Sequence, residues 1–542
     1  MKNHRGKTTK GAAVCLMLLG LSLCPAPPVN ALENGRWLAG DFHNHTFLTD
    51  GGIAAEEVFS QAFRFGLDWF ANSEHGGAYG RGPDGRPWPA AKANFLGDPP
   101  TEKMWRWQSL LQYSFPLVEK ARTAHPKKLI IQGYEWNIPS HEHASVGIID
   151  TAEEEGMAIA RHEYLFDGED TGSTADRHLA VEGKQLRNDH AKAVAGAAWL
   201  EENYRKSAYC VLNHPSRRLK YSVGDIRDLN DAAPHVAFGF EGFPGHQKAG
   251  SRGNYDQGAF LDSAGNDITA RARTHGGADP MLARIGGTWD ALLGEGRRFF
   301  AFANSDFHNS ENDFWPGEYT KTHTFVRDQN QDGEYSQLEL LEGMRSGNSF
   351  IVHGDLINRL RFTAQSRGKM AEMGDTLQAA AGGEVTITIS FKSPARNNHG
   401  DAVAVDHIEL IAGEMSGRVA RLLEDGLTPN PGYEKDGNET TRVIATFTVK
   451  DWQSAGETGA PGNGGKKTSG KNGWRTIRYQ VKQLRHDMYF RLRGTNLRCG
   501  VAEETDSEGN PLADELQGPN DQDKAYADLW FYSNPLFIRV SR

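Results

Sequence analysis

His43 and His45 occupy alternate positions in the segment Asp41-Phe42-His43-Asn44-His45, with Asp50-Gly51 close behind. Alternate residues of a strand share a face, so both imidazoles point the same way and make half of a metal site. Histidine pairs at this spacing also occur as ordinary core or surface residues, so the reading depends on what falls at equivalent places elsewhere. Glu74-His75, Glu135, His143, Asn213-His214-Pro215, Glu241 and Asp306-Phe307-His308 each stand at the edge of a segment that reads as a strand. Each has a bland explanation alone, as a buried His, a helix-capping Asp or a surface Glu. In a parallel barrel, however, the carboxyl ends of the strands form one mouth, where groups distant in sequence converge. Imidazole and carboxylate donors without thiolate suit Zn, Mn or Fe. Such ions acidify water and accept phosphoryl oxygens, so hydrolysis there requires no Ser or Cys nucleophile.

The elements that must position these groups follow from apolar periodicity. Strands are expected at Leu67–Asn72, Leu129–Glu135, Ala144–Ile149, Ala208–Asn213, Val236–Glu241, Phe299–Asn304 and Thr322–Arg327. Helical spacing marks Ala54–Phe65, Glu102–Ala124, Asp189–Tyr204 and Met281–Gly294 between them. The alternation predicts an α/β unit of repeated βα elements around a parallel sheet or distorted barrel, over residues 32–358. Beyond Arg359 the pattern becomes strict alternation, as in Val385, Ile387, Ile389 and Phe391, which predicts an antiparallel β-sandwich over 359–542. The Gly- and Lys-rich stretch Ser454–Gly473 reads as a hairpin loop within it.

At 542 residues the chain is too long for one core. Lys2, Arg5, Lys7 and Lys10 precede an apolar run, Gly11–Leu23, and Val29-Asn30-Ala31 has a small-residue ending, so residues 1–31 read as a secretory signal peptide. The run is too short to span a bilayer, and a lipid anchor at Cys24 is disfavoured by the bulky Leu23 before it. Secretion or a periplasmic location is the expectation. Without this leader the formal charge moves from −10 to −14, because four basic and no acidic residues leave. An acidic protein is a poor generic binder of nucleic acid. Only Cys210 and Cys499 lie beyond the leader, too few for a disulfide scaffold or a thiolate cluster.

The ordered motifs resemble those of the PHP (polymerase and histidinol phosphatase) domain, in the branch with predicted phosphoesterases and carbaryl-type hydrolases. Asp41–Gly51 looks like the first motif and Asn72-Ser73-Glu74-His75 the second, with Glu74 where an Asp is usual. Gly133-Tyr134-Glu135 is similar to the motif with a bridging carboxylate, Asn213-His214-Pro215 to the third, and Asn304-Ser305-Asp306-Phe307-His308 to the fourth. The resemblance covers about residues 37–354 and extends weakly to Leu529–Val540, around Ser533-Asn534-Pro535. It implies a distorted (β/α)7-type barrel with two or three divalent metal ions. His43, His45, Glu135 and Asp306 would hold one, Glu135, His143 and His214 a second, and Asp50, His75 and His308 a third. His141 precedes the same strand as His143, and Asp50 in place of a His makes the third set poorer in nitrogen. His214, Asp306 and Glu135 are the implied catalytic residues. Arg217, Arg218, Glu241 and His246, with Lys248, are the expected substrate contacts, although basic groups at a barrel mouth are often merely solvated.

A second ion signal is Asp328-Gln329-Asn330-Gln331-Asp332-Gly333, followed by Glu334, Ser336 and Glu339. Asp328, Asn330, Asp332, Glu334 and Glu339 fit the spacing of a calcium loop. An acidic turn with Asp332 or Ser336 capping the next helix explains the same residues. The long connection between His75 and Glu102, with Arg81, Arg86, Trp88 and Pro89, is placed over the mouth as a pocket wall or a packed flap. The sequence thus predicts a metal-dependent hydrolase acting on a small molecule, with phosphoester as the favoured bond. A carbamate, ester or amide hydrolase on the same site is the second reading, and a non-catalytic exported binding protein the third.

Overall fold

The computed structural model describes residues 34–89, 102–149, 154–255, 260–261, 264–454, 473–514 and 521–541. The signal-peptide assignment lies outside them, as does nearly all of the Ser454–Gly473 loop.

The N-terminal part is organised by β1 (Gly35–Asp41), β2 (Trp69–Asn72), β3 (Leu129–Asn137), β4 (His143–Ile148), β5 (Ala208–Leu212), β6 (Ala237–Phe243) and β7 (Phe300–Ala303), adjacent in that order in one sheet. β1, β2 and β3 run parallel, as do β5, β6 and β7. β4 is antiparallel to both its neighbours, against the expectation of an all-parallel arrangement. The cause is the connection Ile138–Glu142, which is too short for a crossover and can only make a hairpin. At the other edge β1 pairs antiparallel with β8 (Thr320–Arg327), and β8 with β9 (Ser349–His353).

The two ends of this run approach one another. The Thr322 hydroxyl accepts from the Ala303 amide at 2.8 Å, and the His45 amide donates to the Phe307 carbonyl at 2.7 Å. Gly40 makes the β1–β2 contact possible, because a Cβ there would stand 1.9 Å from the Trp69 indole. That ring stacks on Phe42, and both are fully buried.

Two expected helices are broken. The stretch Glu102–Ala124 contains Arg106–Ser109, a π turn at Leu110–Ser114 and then Phe115–Ala124. Pro116 has no amide to donate, and the wide turn lies just before it. Met281–Gly294 divides into Pro280–Ala283 and Thr288–Gly294 at Gly286, whose φ is +75°.

Past residue 358, Val385–Lys392 shows strict alternation of buried and half-buried residues. It belongs to a five-stranded sheet with Arg359–Ser366, Lys369–Glu372, Arg475–Val481 and Gln453–Ser454. The remaining C-terminal strands are not a separate sheet: Trp530–Ser533 pairs with β9, so the ladder runs from the N-terminal part into Met488–Thr495, Leu536–Ser541 and Thr376–Ala380. Leu360, Ile387, Phe391, Leu410, Phe490 and Ile538 belong to one buried apolar cluster. Arg491 and Asp290, both fully buried, form a bidentate pair at 2.9 and 2.7 Å that ties this part to Thr288–Gly294. No helix among the described residues is long and apolar enough to cross a membrane.

Candidate metal centre

His43 and His45 leave the end of β1 on the same side, as the two-residue period requires, with ring centroids 5.2 Å apart. Asp41, on that side too, is turned onto the backbone. It accepts from the His43 amide at 3.1 Å and the Ser305 amide at 2.7 Å, locking the first strand end to the turn that carries Asp306 and His308. Complete burial pushes the Asp41 carboxyl up to about 7, against the pull of those amides.

Glu135, on β3, is the hub. Its Oε1 lies 2.9 Å from His43 Nε2, 3.1 Å from His143 Nδ1 and 3.4 Å from His214 Nε2. Its Oε2 lies 2.8 Å from His75 Nδ1 and 3.3 Å from His45 Nε2. Asp306 Oδ1 faces His43 Nε2 at 3.0 Å and His45 Nε2 at 3.2 Å. Asp50 Oδ2 is 3.4 Å from both His75 Nε2 and His308 Nε2. All nine residues expected as ligands therefore meet. Their donor atoms fall into overlapping sets that include His43, His45 and Glu135; His75, Glu135 and His143; and His45, Asp50, His75 and His308. Three memberships differ from the expected grouping: His45 also joins the Asp50 set, His75 also groups with Glu135 and His143, and His214 also groups with His43 and Asp306.

Burial opposes charge throughout this cluster. It drives the His45 pKa down to about 3, reinforced by His308 and His75. For Glu135 the same burial is outweighed by His43, His143 and His75, which hold its carboxyl well below the usual range. His43 shows the reverse: despite burial, Asp306, Glu135 and Glu241 hold its pKa well above the ordinary value.

The donor set fits divalent cations. His45 Nδ1 and Nε2, His75 Nδ1, Glu135 Oε2 and His214 Nδ1 are buried with no hydrogen-bond partner, although unpaired buried polar atoms are costly. The backbone adds to this. His214, His246 and Asp306 have φ of +31°, +54° and +44°, a region that non-glycine residues occupy at a cost and that clusters at functional sites.

The expected substrate contacts divide. Arg217 is buried, with one guanidinium nitrogen 3.3 Å from Asp306 Oδ2 and the other against His214 Nε2. His246 Nε2 lies 3.0 Å from the same Asp306 oxygen, and its Nδ1 lies 2.7 Å from Asp313. Although burial disfavours its charge, Asp306 and Asp313 raise the His246 pKa to about 10. Arg218 instead reaches Glu142 at 3.7 Å from the solvent side. Lys248 donates to the Ser310 carbonyl. Glu241 requires a correction: it is fully buried behind His43, its Oε1 2.7 Å from His43 Nδ1 and its Oε2 accepting from the His214 amide at 2.9 Å. Fully buried, it backs two of the expected ligands and does not reach the surface.

No protein-family model matches the chain, and neither does any curated protein. Among solved structures it is similar to a two-domain protein from Bacteroides vulgatus containing a predicted PHP-like metal-dependent phosphoesterase. The identity is 13%, over 88% of this chain and 94% of that one, with a TM-score of 0.34. It is also similar to endonuclease Q, solved with a 27-mer duplex bearing an abasic lesion at the active site. There the identity is 13%, over 58% of this chain and 56% of the other, with a TM-score of 0.28.

Several supporting residues lie outside the expected ligand and substrate sets. Glu142, fully buried, lies 3.4 Å from His214 Nδ1. Asn213 donates to Glu135 Oε1 at 2.8 Å, and Asn304 to Glu241 Oε1 at 2.8 Å. The position of Glu142 between two histidines, and of each Asn in its motif, were the available hints. Glu74 takes the Thr46 amide and both the Thr46 and Thr49 hydroxyls, so it shapes the turn that delivers Asp50. Arg81, in the long connection, donates to the Thr49 and Gly51 carbonyls at 2.7 and 2.9 Å, and Trp88 packs with Leu48 and Met104.

In the expected calcium loop, Asp328 accepts from the Asp332 and Gly333 amides, and Asp332 from the Glu334 amide. Glu339 and Ser336 form a capping box at the start of Gln337–Ser346. These are the contacts of a tight turn and a capped helix, and they require no ion.

Proposed function

We propose that this chain is a PHP-type metal-dependent hydrolase built on a distorted barrel, with phosphoesters as its substrates. The observation that carries the reading is the convergence of four separate sequence segments on Glu135, through His43 and His45, His75, His143 and His214, with buried ring nitrogens and a carboxylate oxygen left without hydrogen-bond partners. His43, His45, Glu135 and Asp306 would hold one divalent cation, Glu135, His143 and His214 a second, and Asp50, His75 and His308 a third. Cations held there acidify water near neutral pH and neutralise charge on phosphoryl oxygens.

The chain's own residues supply the rest. Glu241 fixes the His43 ring so that its Nε2 faces inward. Asp41 holds the two motif-bearing strand ends in register. Arg217 and His246 both pair with Asp306 and hold its carboxylate beside His43 and His45. The leader-like residues 1–31 support a further proposal, that the protein is exported to the periplasm or beyond.

The test is metal analysis of the purified protein, followed by assays on aryl phosphate monoesters and diesters beside aryl carbamates and esters. Phosphoester turnover that falls by more than about 100-fold in Glu135→Gln, with the fold retained, is the expected outcome. Carbamate turnover alone would select the second reading. A wild-type protein that binds no metal would overturn the proposal.

A further inference from the structure

His141 is the one imidazole of the His141-Glu142-His143 segment that faces away from Glu135. Its Nε2 lies 2.8 Å from Nδ1 of His190, the first residue of the helix His190–Tyr204. Asp225, in the first turn of the helix Val223–Ala232, places Oδ1 3.4 Å from the same His190 nitrogen. The donor atoms of these three half-buried residues lie within 4.8 Å of one another.

The hydrogen bonds on the far side of each ring fix where the protons are. His141 Nδ1 lies 2.9 Å from the Lys220 carbonyl, which can only accept, so that nitrogen carries the hydrogen and a neutral ring leaves Nε2 bare. His190 Nε2 lies 3.1 Å from Asp228 Oδ2. The Asp228 carboxylate already accepts from the Tyr433 hydroxyl at 2.8 Å and from Arg421 at 2.7 Å. It takes the His190 Nε2 hydrogen as well, so a neutral His190 ring leaves Nδ1 bare. With both rings neutral, two lone pairs face each other at 2.8 Å beside a carboxylate oxygen, a repulsion that a cation between them relieves. Each ring nitrogen that is turned away from the cluster donates to an oxygen, which is how the outer contacts of metal-bound histidines are arranged.

We propose that His141, His190 and Asp225 form a second, peripheral metal site for a zinc-class divalent cation, with two imidazoles and one carboxylate as ligands and a remaining position open to solvent. Zinc at about 2.0–2.1 Å from each nitrogen would spread the two rings to roughly 3.3 Å in tetrahedral geometry, a small opening of the present contact. The ring of His141 is kept in plane by stacking on Tyr221, with centroids 4.8 Å apart. An ion there joins the β3–β4 turn to the N-terminal turns of two helices, and so braces the segment that delivers Glu142 and His143. The proposal stands on these residues alone and does not depend on the hydrolase reading.

The experiment measures zinc bound by the full-length protein, equilibrated with buffered free zinc, in wild type, His141→Ala and His190→Ala. Each variant is expected to bind one zinc fewer than wild type at saturation. That difference is read independently of activity, and it survives even if the Glu135 cluster holds no metal. Equal zinc content in all three proteins at every free-zinc level would overturn the site. Should a variant not fold, zinc-edge anomalous maps of wild-type crystals decide: a peak between His141 Nε2 and His190 Nδ1 supports the proposal, and its absence from zinc-loaded crystals refutes it.

Discussion

Glu241 Oε1 lies 2.7 Å from His43 Nδ1 on one side of the ring, while Nε2 on the other side faces Glu135 at 2.9 Å and Asp306 at 3.0 Å. A carboxylate behind an imidazole fixes the tautomer and raises the basicity of the nitrogen that points inward. Glu241→Gln keeps the shape and removes the charge. It should weaken metal affinity by about 10–100-fold with little change in substrate KM at saturating metal. Competition with a chromogenic chelator reads the first effect and steady-state kinetics the second; a large rise in KM alone would return Glu241 to the role of substrate contact.

Removal of metal should destabilise the protein as well as inactivate it. In the cluster, Glu135 and Asp306 are buried, and His45 Nδ1 and Nε2, His75 Nδ1 and His214 Nδ1 have no hydrogen-bond partner. Cations that bind the folded chain alone stabilise it by about 2.7 kcal/mol when free metal is 100 times Kd. Chelation should therefore lower Tm by several degrees, and added Zn or Mn should restore it. Thermal melts with and without chelator check this, and a Tm that ignores chelator would contradict a metal-filled cluster.

Much of this centre is legible in the sequence because period and topology act on it directly. His43 and His45 share a face by the two-residue alternation of an extended chain, and His75, His214, Asp306 and His308 fall just past strands whose apolar runs are plain. What the sequence hides is direction. Whether Glu241 turns toward the mouth or toward the back of His43 depends on strand twist and on Asn304 and the His214 amide competing for it. The separation of His143 from His141 is likewise set by the tight hairpin, which sends one ring to Glu135 and the other to His190. The antiparallel β4 could have been inferred from the length of Ile138–Glu142. By contrast, the joining of Trp530–Ser533 to β9 is a long-range pairing with no local signature.

The Arg491–Asp290 pair holds the C-terminal strands against Thr288–Gly294 with both side chains fully buried. Removing one partner leaves the other as an uncompensated buried charge. Asp290→Ala or Arg491→Ala should each cost about 3–5 kcal/mol, and the double variant should cost less than the two singles combined. Urea unfolding of the four proteins measures the cycle, and strict additivity would mean that the pair is not coupled.

Acid should destabilise the fold through its buried neutral histidines. His162 accepts from the Tyr134 hydroxyl at Nδ1, 2.7 Å away, and burial drives its pKa down to about 3. In the unfolded chain this ring titrates near 6.5. Between those values the unfolded chain binds a proton that the folded chain refuses, so stability falls as pH drops below about 6.5 and goes on falling toward 3. One such group contributes a slope of about 1.4 kcal/mol per pH unit. His323 and His353, also buried and held well below the ordinary value, add slopes of the same sign. His162→Gln removes one proton from this uptake. Relative to wild type, its urea midpoint should fall less steeply from pH 6 to pH 4, and parallel curves for the two proteins would show that His162 is protonated in the folded state.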